Sequence, residues 1–528
     1  MTHIKSSRSE SNFNLGIMLL WIVVTFTAVL FHEPWRDELQ TWLISRDLSW
    51  AELWRQMRYE GHFLPWYILI KIQIAAGLPL LSQNLLSWGL VFIAVIQVLY
   101  ASPFSRILKV AILFSAPLLY WYPVVARCYA LIPVLLFSMA MTYDARFRHP
   151  FRYGIAAALL ANTHLYMEGF VLVIFLMVCN DYWKAQNRAT RIAALKIAAC
   201  ILSGVLIAFL TVVTAILVPD NEFKPFAAFS LQRFFLELYS FANGNLLSNF
   251  MDTELFSPRQ ATVLAIIFVI AAFFIFRQNK FRNLYCTSAA TIVFFCIVGN
   301  FYQFSLIAVF LLSPILLIQK SYRWLWAALT ISWGYQWLFA VFFYMFLPQR
   351  AVLMLLILAF FYWIVSTSPK EKHGMRKAAM NWNELSRYIV FYACFTFFGI
   401  ANLILCDYQT EFSGTTRAGK LIQKEFGKDA VIALTACDDR LTGIAAYTNQ
   451  KLYDLQNNRQ ITFHPRNRPA VMVAQELPAF DILVYPQINM PDTWEYQGKP
   501  LQKVAEISNC IVRDEMMTLY APKAGEKH

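Results

Sequence analysis

Charged residues are scarce in this chain of 528 residues. Asp, Glu, Lys and Arg together make up 15% of it, against about 25% in soluble domains. Hydrophobic residues reach 58%, and the mean hydropathy is +0.48. This composition excludes an ordinary soluble globular protein and indicates a chain that is embedded in lipid.

Several signatures of soluble chemistry are also missing. The nine cysteines form no CxxC pair and no Cys/His cluster, which argues against a zinc site. No GxGxxG sequence indicates a nucleotide site, and no internal repeat of the kind found in many secondary transporters is present. Cys437 and Cys510 lie in the polar C-terminal part, where a disulfide and two reduced thiols both remain open.

What the sequence has in abundance is apolar runs of the length that a bilayer core requires, about 17–25 residues. Lipid offers no partners to backbone groups, so each run is predicted to be a helix. We predict a polytopic α-helical membrane protein with about thirteen spans. They lie near 15–31, 84–102, 110–126, 129–143, 153–165, 168–181, 193–218, 260–276, 284–302, 304–319, 324–346, 350–366 and 386–405.

Basic loops between the runs predict the orientation, because Lys and Arg favour the cytoplasmic side. With the N-terminus inside, six basic loops are cytoplasmic if the further apolar segment 62–79 does not cross the membrane, and all six lie outside if it does. The non-crossing topology is therefore predicted, with the C-terminus outside. The same loops account for the net charge of +13, so nucleic-acid binding is not expected.

The topology divides the chain into two predicted domains. Residues 1–405 form a transmembrane domain whose first outer loop, 32–83, contains juxtamembrane helices. Residues 406–528 form a small extracytoplasmic α/β domain, with strands near 430–435, 451–455 and 481–485 and helices near 417–426 and 440–448.

The first outer loop concentrates the polar residues. Asp37 and Glu38 follow the first apolar run, where charge must face water or a polar pocket. Ser49 and Glu52 form a capping-box pattern that predicts a short helix. One face of that helix, typical of an interfacial helix, carries Trp50, Leu53, Trp54 and Met57.

The stretch 33–67 resembles the integral-membrane glycosyltransferases of the GT-C fold, above all the branch of protein O-mannosyltransferases and lipid A aminoarabinose transferases. Those enzymes carry an Asp-Glu pair after the first helix, then juxtamembrane helices, then a His-Pro-Pro-like motif. Here Asp37-Glu38 is followed by Glu-Gly-His-Phe-Leu-Pro at 60–65, in which Phe and Leu follow the His and the proline comes later. Two further matches are Ala-Arg-Cys-Tyr-Ala-Leu at 126–131 and Asn-Thr-His-Leu-Tyr at 162–166, so the resemblance covers about the first 180 residues.

The resemblance implies a GT-C-like fold and transfer of a sugar from a polyprenyl-phosphate donor to a glycan, lipid or protein acceptor, at the outer face of the plasma membrane. Asp37 is the expected base for an inverting attack, and Glu38 assists the acceptor or binds a metal. Family members differ in metal use, so a divalent metal is left open, and no other cofactor is expected. The residues expected to contact donor or phosphate are Arg58, Glu60, His62, Arg127, Tyr129, His164 and Glu168.

Simpler roles for these residues remain open at this point. Asp37 is suited to capping a helix, and Arg127 is suited to extending towards the membrane interface. His164 and Glu168 could equally form a structural pair. Two other functions also remain open: a transporter or flippase of a lipid-linked intermediate, and a non-catalytic membrane scaffold.

Overall fold

The computed structural model describes residues 8–60, 63–218, 229–246, 257–318, 323–342, 346–367, 382–435, 438–466 and 479–523. In chain order its helices are α1 (Arg8–Phe31), α2 (Arg36–Asp47), α3 (Trp50–Glu60), α4 (Leu64–Ala75), α5 (Ser82–Ala101), α6 (Arg106–Leu113), α7 (Leu131–Thr142), α8 (Pro150–Ala161), α9 (Glu168–Lys184), α10 (Arg188–Leu217), α11 (Leu231–Leu246), α12 (Pro258–Ile275), α13 (Arg282–Val298), α14 (Tyr302–Leu312), α15 (Arg323–Phe342), α16 (Pro348–Ala351), α17 (Leu353–Thr367), α18 (Trp382–Gln409), α19 (Gly414–Phe426), α20 (Asp439–Thr442) and α21 (Ile444–Thr448). The strands are β1 (Ile432–Leu434), β2 (Leu452–Asp454), β3 (Arg459–Ile461), β4 (Ile482–Tyr485), β5 (Thr493–Tyr496), β6 (Lys499–Ile507) and β7 (Met517–Pro522).

Among these residues, 8 helical segments are long and apolar enough to cross a bilayer, as expected of a helical membrane protein. Each coincides with a predicted span. They are Arg8–Phe31, Ser82–Ala101, Cys128–Ala145, Leu165–Lys184, Arg188–Leu217, Trp324–Phe342, Pro348–Thr367 and Glu384–Gln409. The predicted spans near 260–276, 284–302 and 304–319 correspond to shorter apolar helices, and the one near 153–165 to the 12 residues of α8. The count of thirteen stays a prediction.

The predicted helix at 110–126 is wrong. Helix α6 ends at Leu113, Pro117–Trp121 forms a single π-helical turn, and the backbone is extended at Arg127. Pro117 and Pro123 lack the N–H that a continuous helix needs. The side chains along this irregular stretch are buried, so its backbone is enclosed by protein, which is where a bilayer protein tolerates non-helical structure.

The segment predicted not to cross the membrane forms α4. Its 12 residues reach about 18 Å at 1.5 Å per residue, well short of a hydrocarbon core of about 30 Å. Next to it, the predicted capping box opens α3: the Ser49 N–H donates to Glu52 at 2.8 Å, and the Glu52 N–H donates back at 3.3 Å. Leu53 and Met57 are buried, whereas Trp50 and Trp54 are exposed, so the predicted apolar face divides between protein contact and the surroundings.

The C-terminal unit, α19 to β7, is built on a 7-stranded mixed sheet in the order β3-β2-β1-β4-β7-β6-β5. The centre is parallel, because β1 pairs with β2 and β4, and the flanking pairs are antiparallel. Strands β1, β2 and β4 and helices α19 to α21 lie where the sequence predicts them. The predicted boundary at 405/406 falls inside α18, and Cys437, one half of the disulfide left open, lies outside the described residues.

Helix α2 lies at the junction of the two parts and is enclosed on nearly all sides. Trp42 belongs to the core of the membrane helices, and Leu43 belongs to the core of the C-terminal unit. Ile44 packs in a third cluster, with residues of α3 and α4. On the C-terminal unit, Gly443 permits the approach of Leu39, whose Cδ1 would lie 2.6 Å from any added Cβ. The helix that carries the acidic pair in its first turn is therefore shared by both parts.

Candidate active site

Four residues separate the end of α1 from the start of α2, and the two acidic residues lie in the first turn of α2. Trp35 is the N-cap residue, and its N–H donates to Oε2 of Glu38 at 3.2 Å. Carboxylates in a first turn are favoured by the helix dipole. Successive residues project about 100° apart on a helix of 3.6 residues per turn, so Asp37 and Glu38 face different surroundings.

Glu38 faces the membrane helices and is fully buried. Its Oε1 accepts the Ala126 N–H at 2.6 Å and the Asn84 side-chain amide of α5 at 2.9 Å. Its Oε2 lies 3.0 Å from Nε2 of His32. Glu38 therefore anchors α2 to α5 and to the chain that leads into Arg127.

His32 joins Glu38 to the end of α18. Its Nδ1 lies 3.0 Å from Oδ2 of Asp407, an oxygen that also accepts the Tyr120 hydroxyl at 2.6 Å. Both ring nitrogens face carboxylates, so both donate and the ring is an imidazolium. Burial alone would lower the pKa of His32, but Asp407 and Glu38 outweigh it and raise that pKa to about 10.

Sequence reasoning missed His32 and Asp407. A signal was present, since the first directly follows the first predicted span and the second lies within two residues of the last. Polar residues at two span ends that the topology places on the same side are candidates for a buried contact.

Asp37 turns the other way and forms an ion pair with Arg127. Its side chain is 19% exposed, against 3% for Arg127. Burial would raise the pKa of Asp37, but Arg127, Arg36 and Arg466 together outweigh burial and hold that pKa below its ordinary value. Asp37 is thus held as a carboxylate by the positive charge of three arginines, of which Arg127 forms the direct ion pair.

Arg127 is positioned by aromatic rings. Its guanidinium carbon lies 6.0 Å from the ring centroids of both Trp35 and Tyr129. Such cation–π contacts hold a guanidinium through the face of the ring. The structure thus brings together Asp37, Arg127 and Tyr129, three residues of the predicted site.

Tyr129 continues the site inwards. Its hydroxyl accepts from Nε of Arg350 at 3.1 Å and lies 3.0 Å from Nε2 of His164, whose ring stacks on it at 4.7 Å. His164 Nδ1 accepts the Tyr166 N–H at 3.2 Å, so in the neutral ring Nε2 carries the proton and donates to Tyr129. The predicted residues Tyr129 and His164 are therefore direct neighbours.

Arg350 is a further residue that sequence reasoning missed. It is buried in α16, and its guanidinium also lies 5.7 Å from the ring centroid of Tyr166. The signal was the one that pointed to Arg127, an arginine at the end of a predicted span. Tyr129 is thus flanked by two buried arginines.

The remaining loop residues are placed differently. Glu60 is buried, accepts from Nε2 of Gln56 at 2.9 Å and lies 3.6 Å from Nε of Arg466. Arg58 is exposed on α3, with its guanidinium carbon 5.0 Å from the Tyr59 ring centroid. His62 lies outside the described residues, so its role stays a prediction.

Glu168 lies on a groove between α9, α10 and α15. The groove has a volume of about 340 Å³ and is walled by apolar side chains such as Leu165, Val205 and Phe339. One carboxylate oxygen, Oε1, is buried with no hydrogen-bond partner among the described residues. Its surroundings therefore differ from the arginine-rich surroundings of Asp37.

The C-terminal unit closes the opposite side of α2. Nη1 of Arg36 donates to Oδ2 of Asp514 at 2.5 Å and lies 3.9 Å from Oδ1 of Asp439. The Arg36 N–H donates to Oε1 of Glu515 at 3.0 Å. The residue before Asp37 is thus held by the C-terminal unit, and the residue after it by the membrane helices.

Both carboxylates at the start of α2 are already engaged by nitrogen donors. Asp37 is paired with Arg127, and Glu38 already accepts from several N–H groups. Within the described part of the chain, no group of three or more His, Cys, Asp and Glu side chains is arranged to hold a metal ion. The metal that the sequence left open stays untested, and no step below uses one.

Comparison with known proteins adds no family to this picture: no family model, no curated protein and no solved structure matches the chain.

Proposed function

We propose that this protein is an integral-membrane glycosyltransferase that moves a sugar from a polyprenyl-phosphate donor to an acceptor hydroxyl or amine. The observation that carries the proposal is the partly exposed Asp37 paired with the buried Arg127. A base beside an arginine is what this reaction needs, because the leaving phosphate is already anionic and requires positive charge more than it requires an acid. The ordered sequence matches in the first 180 residues support the same class.

In the proposed reaction, the acceptor O–H or N–H gives its proton to Asp37 as the acceptor atom attacks the anomeric carbon. The bond from that carbon to the phosphate oxygen breaks, and its electron pair leaves with the phosphate. Attack from the face opposite the phosphate inverts the anomeric centre. A glycosidase would instead need two carboxylates flanking the bond, one of them protonated.

The resting ion pair explains how Asp37 becomes a base. With Arg127 beside it, Asp37 has a lowered pKa and is a weak proton acceptor. A donor phosphate that binds Arg127 draws this cation away from Asp37, and burial then raises the pKa of the carboxylate. Donor binding would in this way prepare the base.

Arg127 and Arg350 are the proposed phosphate ligands, since they flank Tyr129 and a guanidinium donates two parallel N–H groups to phosphate oxygens. His164 positions Tyr129 between them. The groove beside Glu168 is the proposed place for an apolar chain of a lipid substrate. Arg58 and His62 are retained as proposed donor contacts, and Glu38 as a residue that supports the base.

The topology completes the proposal. Thirteen spans in the plasma (inner) membrane, with the N-terminus inside, put Asp37 and the C-terminal α/β domain on the extracytoplasmic side, where the donor head group and acceptor meet. The GT-C-like fold belongs to the same proposal.

The test replaces Asp37 with Asn in protein that still inserts and folds. We expect a loss of about 10²–10⁴-fold in transfer, the usual contribution of a general base, with donor binding retained. Mass spectrometry of cell-envelope glycans from cells with and without the active protein identifies the product. Asp47→Asn is the matched control, because Asp47 ends the same helix and is paired with Arg46.

Unaltered transfer by Asp37→Asn would remove the base assignment. Counterflow of a labelled lipid carrier across proteoliposomes, with no glycan change, would instead favour a transporter.

A further inference from the structure

A short segment of the C-terminal unit, His464–Arg466, is docked on the helices of the first loop. The side chain of Gln40 pairs with the backbone of His464 in both directions: Nε2 donates to the carbonyl at 2.6 Å, and Oε1 accepts the N–H at 2.9 Å. Gln56 donates to the Pro465 carbonyl at 3.2 Å. Two side-chain amides, one on α2 and one on α3, thus fix the backbone that leads to Arg466.

Glu60 fixes the arginine itself. Its Oε2 lies 3.6 Å from Nε of Arg466, and its two oxygens also accept from Gln40 at 3.4 Å, Gln56 at 2.9 Å and Tyr67 at 3.4 Å. With so many donors around it, Glu60 is suited to orienting Arg466 rather than to touching a substrate.

Arg466 lies near the face of α2 that carries Asp37 while remaining accessible. Gln40 follows Asp37 by one helical turn, and its side chain contacts both the His464 backbone and Glu60, the partner of Arg466. The side chain of Arg466 is 20% exposed, and its charge acts on Asp37. Its backbone is left-handed, with φ 54°. Non-glycine residues seldom adopt such conformations, which persist where the surroundings enforce them. Here Gln40 and Gln56 hold the backbone of the two residues that precede Arg466.

We propose that Arg466 is a third anion-binding residue of the Asp37 site, supplied by the C-terminal unit, and that it binds the phosphate oxygens of the donor together with Arg127. The inference rests on the proposed function. Arg466 touches the substrate, whereas Glu60 and Gln40 are positioning residues that act through it. The C-terminal unit is then part of the active site, and the site is incomplete without it.

Binding of dodecyl phosphate, a short lipid phosphate, to the full-length protein in detergent tests this inference. Titration calorimetry should give about tenfold weaker binding for Arg466→Gln, and an intermediate loss for Arg466→Lys, which keeps the charge but not the two parallel donors. Arg417→Gln is the matched control, because it removes the same charge from a side chain that is 53% exposed on α19. Its affinity should equal that of the wild type.

Gln40→Met supplies a second variant, which removes the amide but keeps the length of the side chain. We expect the same loss of affinity as in Arg466→Gln, and no further loss when the two are combined, because both act on one contact. Losses that simply add would contradict the positioning role of Gln40.

Arg127→Gln separates this inference from the proposed function. Weakened binding in Arg127→Gln, together with wild-type affinity in Arg466→Gln, overturns the role of Arg466 and leaves the proposed function intact. Wild-type affinity in both variants overturns the phosphate site and the inference together.

Discussion

The two carboxylates at the start of α2 are neighbours in the chain, yet their surroundings are opposite. Glu38 is buried among fixed donors from α5, the backbone of Ala126 and the His32 imidazolium. Asp37 is partly exposed and faces arginines. A carboxylate with several fixed donors holds a structure, whereas one that is partly exposed and paired with an arginine is suited to chemistry. Under the proposed function, the pair divides anchoring from reaction within two residues.

The largest expected effect comes from breaking the anchor. Glu38→Gln replaces a carboxylate oxygen with an NH₂ group, which then faces the N–H donors that surround this position. It also leaves the imidazolium of His32 with one carboxylate less. Removal of one partner from a buried charge pair costs about 3–5 kcal/mol, and we expect Asp37→Asn to cost clearly less. Thermal unfolding in detergent, followed by size-exclusion chromatography, measures both. Equal losses would show that the two carboxylates do not differ in this way.

A smaller effect is expected from titration of His32. Its pKa is raised from 6.5 to about 10 in the folded protein, so the stabilisation by its positive charge is complete below about pH 6.5 and is lost as the pH rises through about 10. The loss cannot exceed about 1.4 kcal/mol per pH unit for one proton. Between pH 7 and 10 the unfolding temperature should therefore fall more steeply in the wild type than in His32→Gln. Parallel pH profiles would exclude a charged His32.

The smallest effect concerns the acid limb of activity. Arg127→Gln removes the main cation beside Asp37, so burial raises the pKa of the carboxylate and residual kcat/KM should begin to fall at higher pH than in the wild type. Arg350→Gln serves as control: it should weaken donor binding without moving that limb, since Arg350 acts on Tyr129. An acid limb that moves equally in both variants would contradict the ion pair as the resting state of the base.

Local pattern was sufficient for much of the fold. Apolar length located the eight long helices, and the strands predicted in the polar C-terminal part coincide with β1, β2 and β4. The continuous helix predicted at 110–126 is absent because Pro117 and Pro123 interrupt it. Apolar content alone does not reveal this, since non-helical backbone is tolerated at membrane depth where protein encloses it.

The site was predictable where a motif carried it and not beyond. Asp37, Arg127 and Tyr129 belong to short matched stretches, and the structure brings them together. His464, one partner of Gln40, lies 424 positions away along the chain, and neither residue stands in a recognisable pattern. Contacts of this kind depend on how two distant parts of the chain meet, which composition and periodicity do not encode.

The sharing of α2 has a consequence for biosynthesis. The Arg36 N–H and Glu515, its acceptor, are separated by 479 positions, so the first loop emerges from the ribosome long before the residues that enclose it. If the proposed function is right, a nascent or truncated chain holds the base without its complete surroundings and has no transfer activity. Assembly of the catalytic centre is then the final event of maturation, and an incompletely folded chain does not consume lipid-linked sugar.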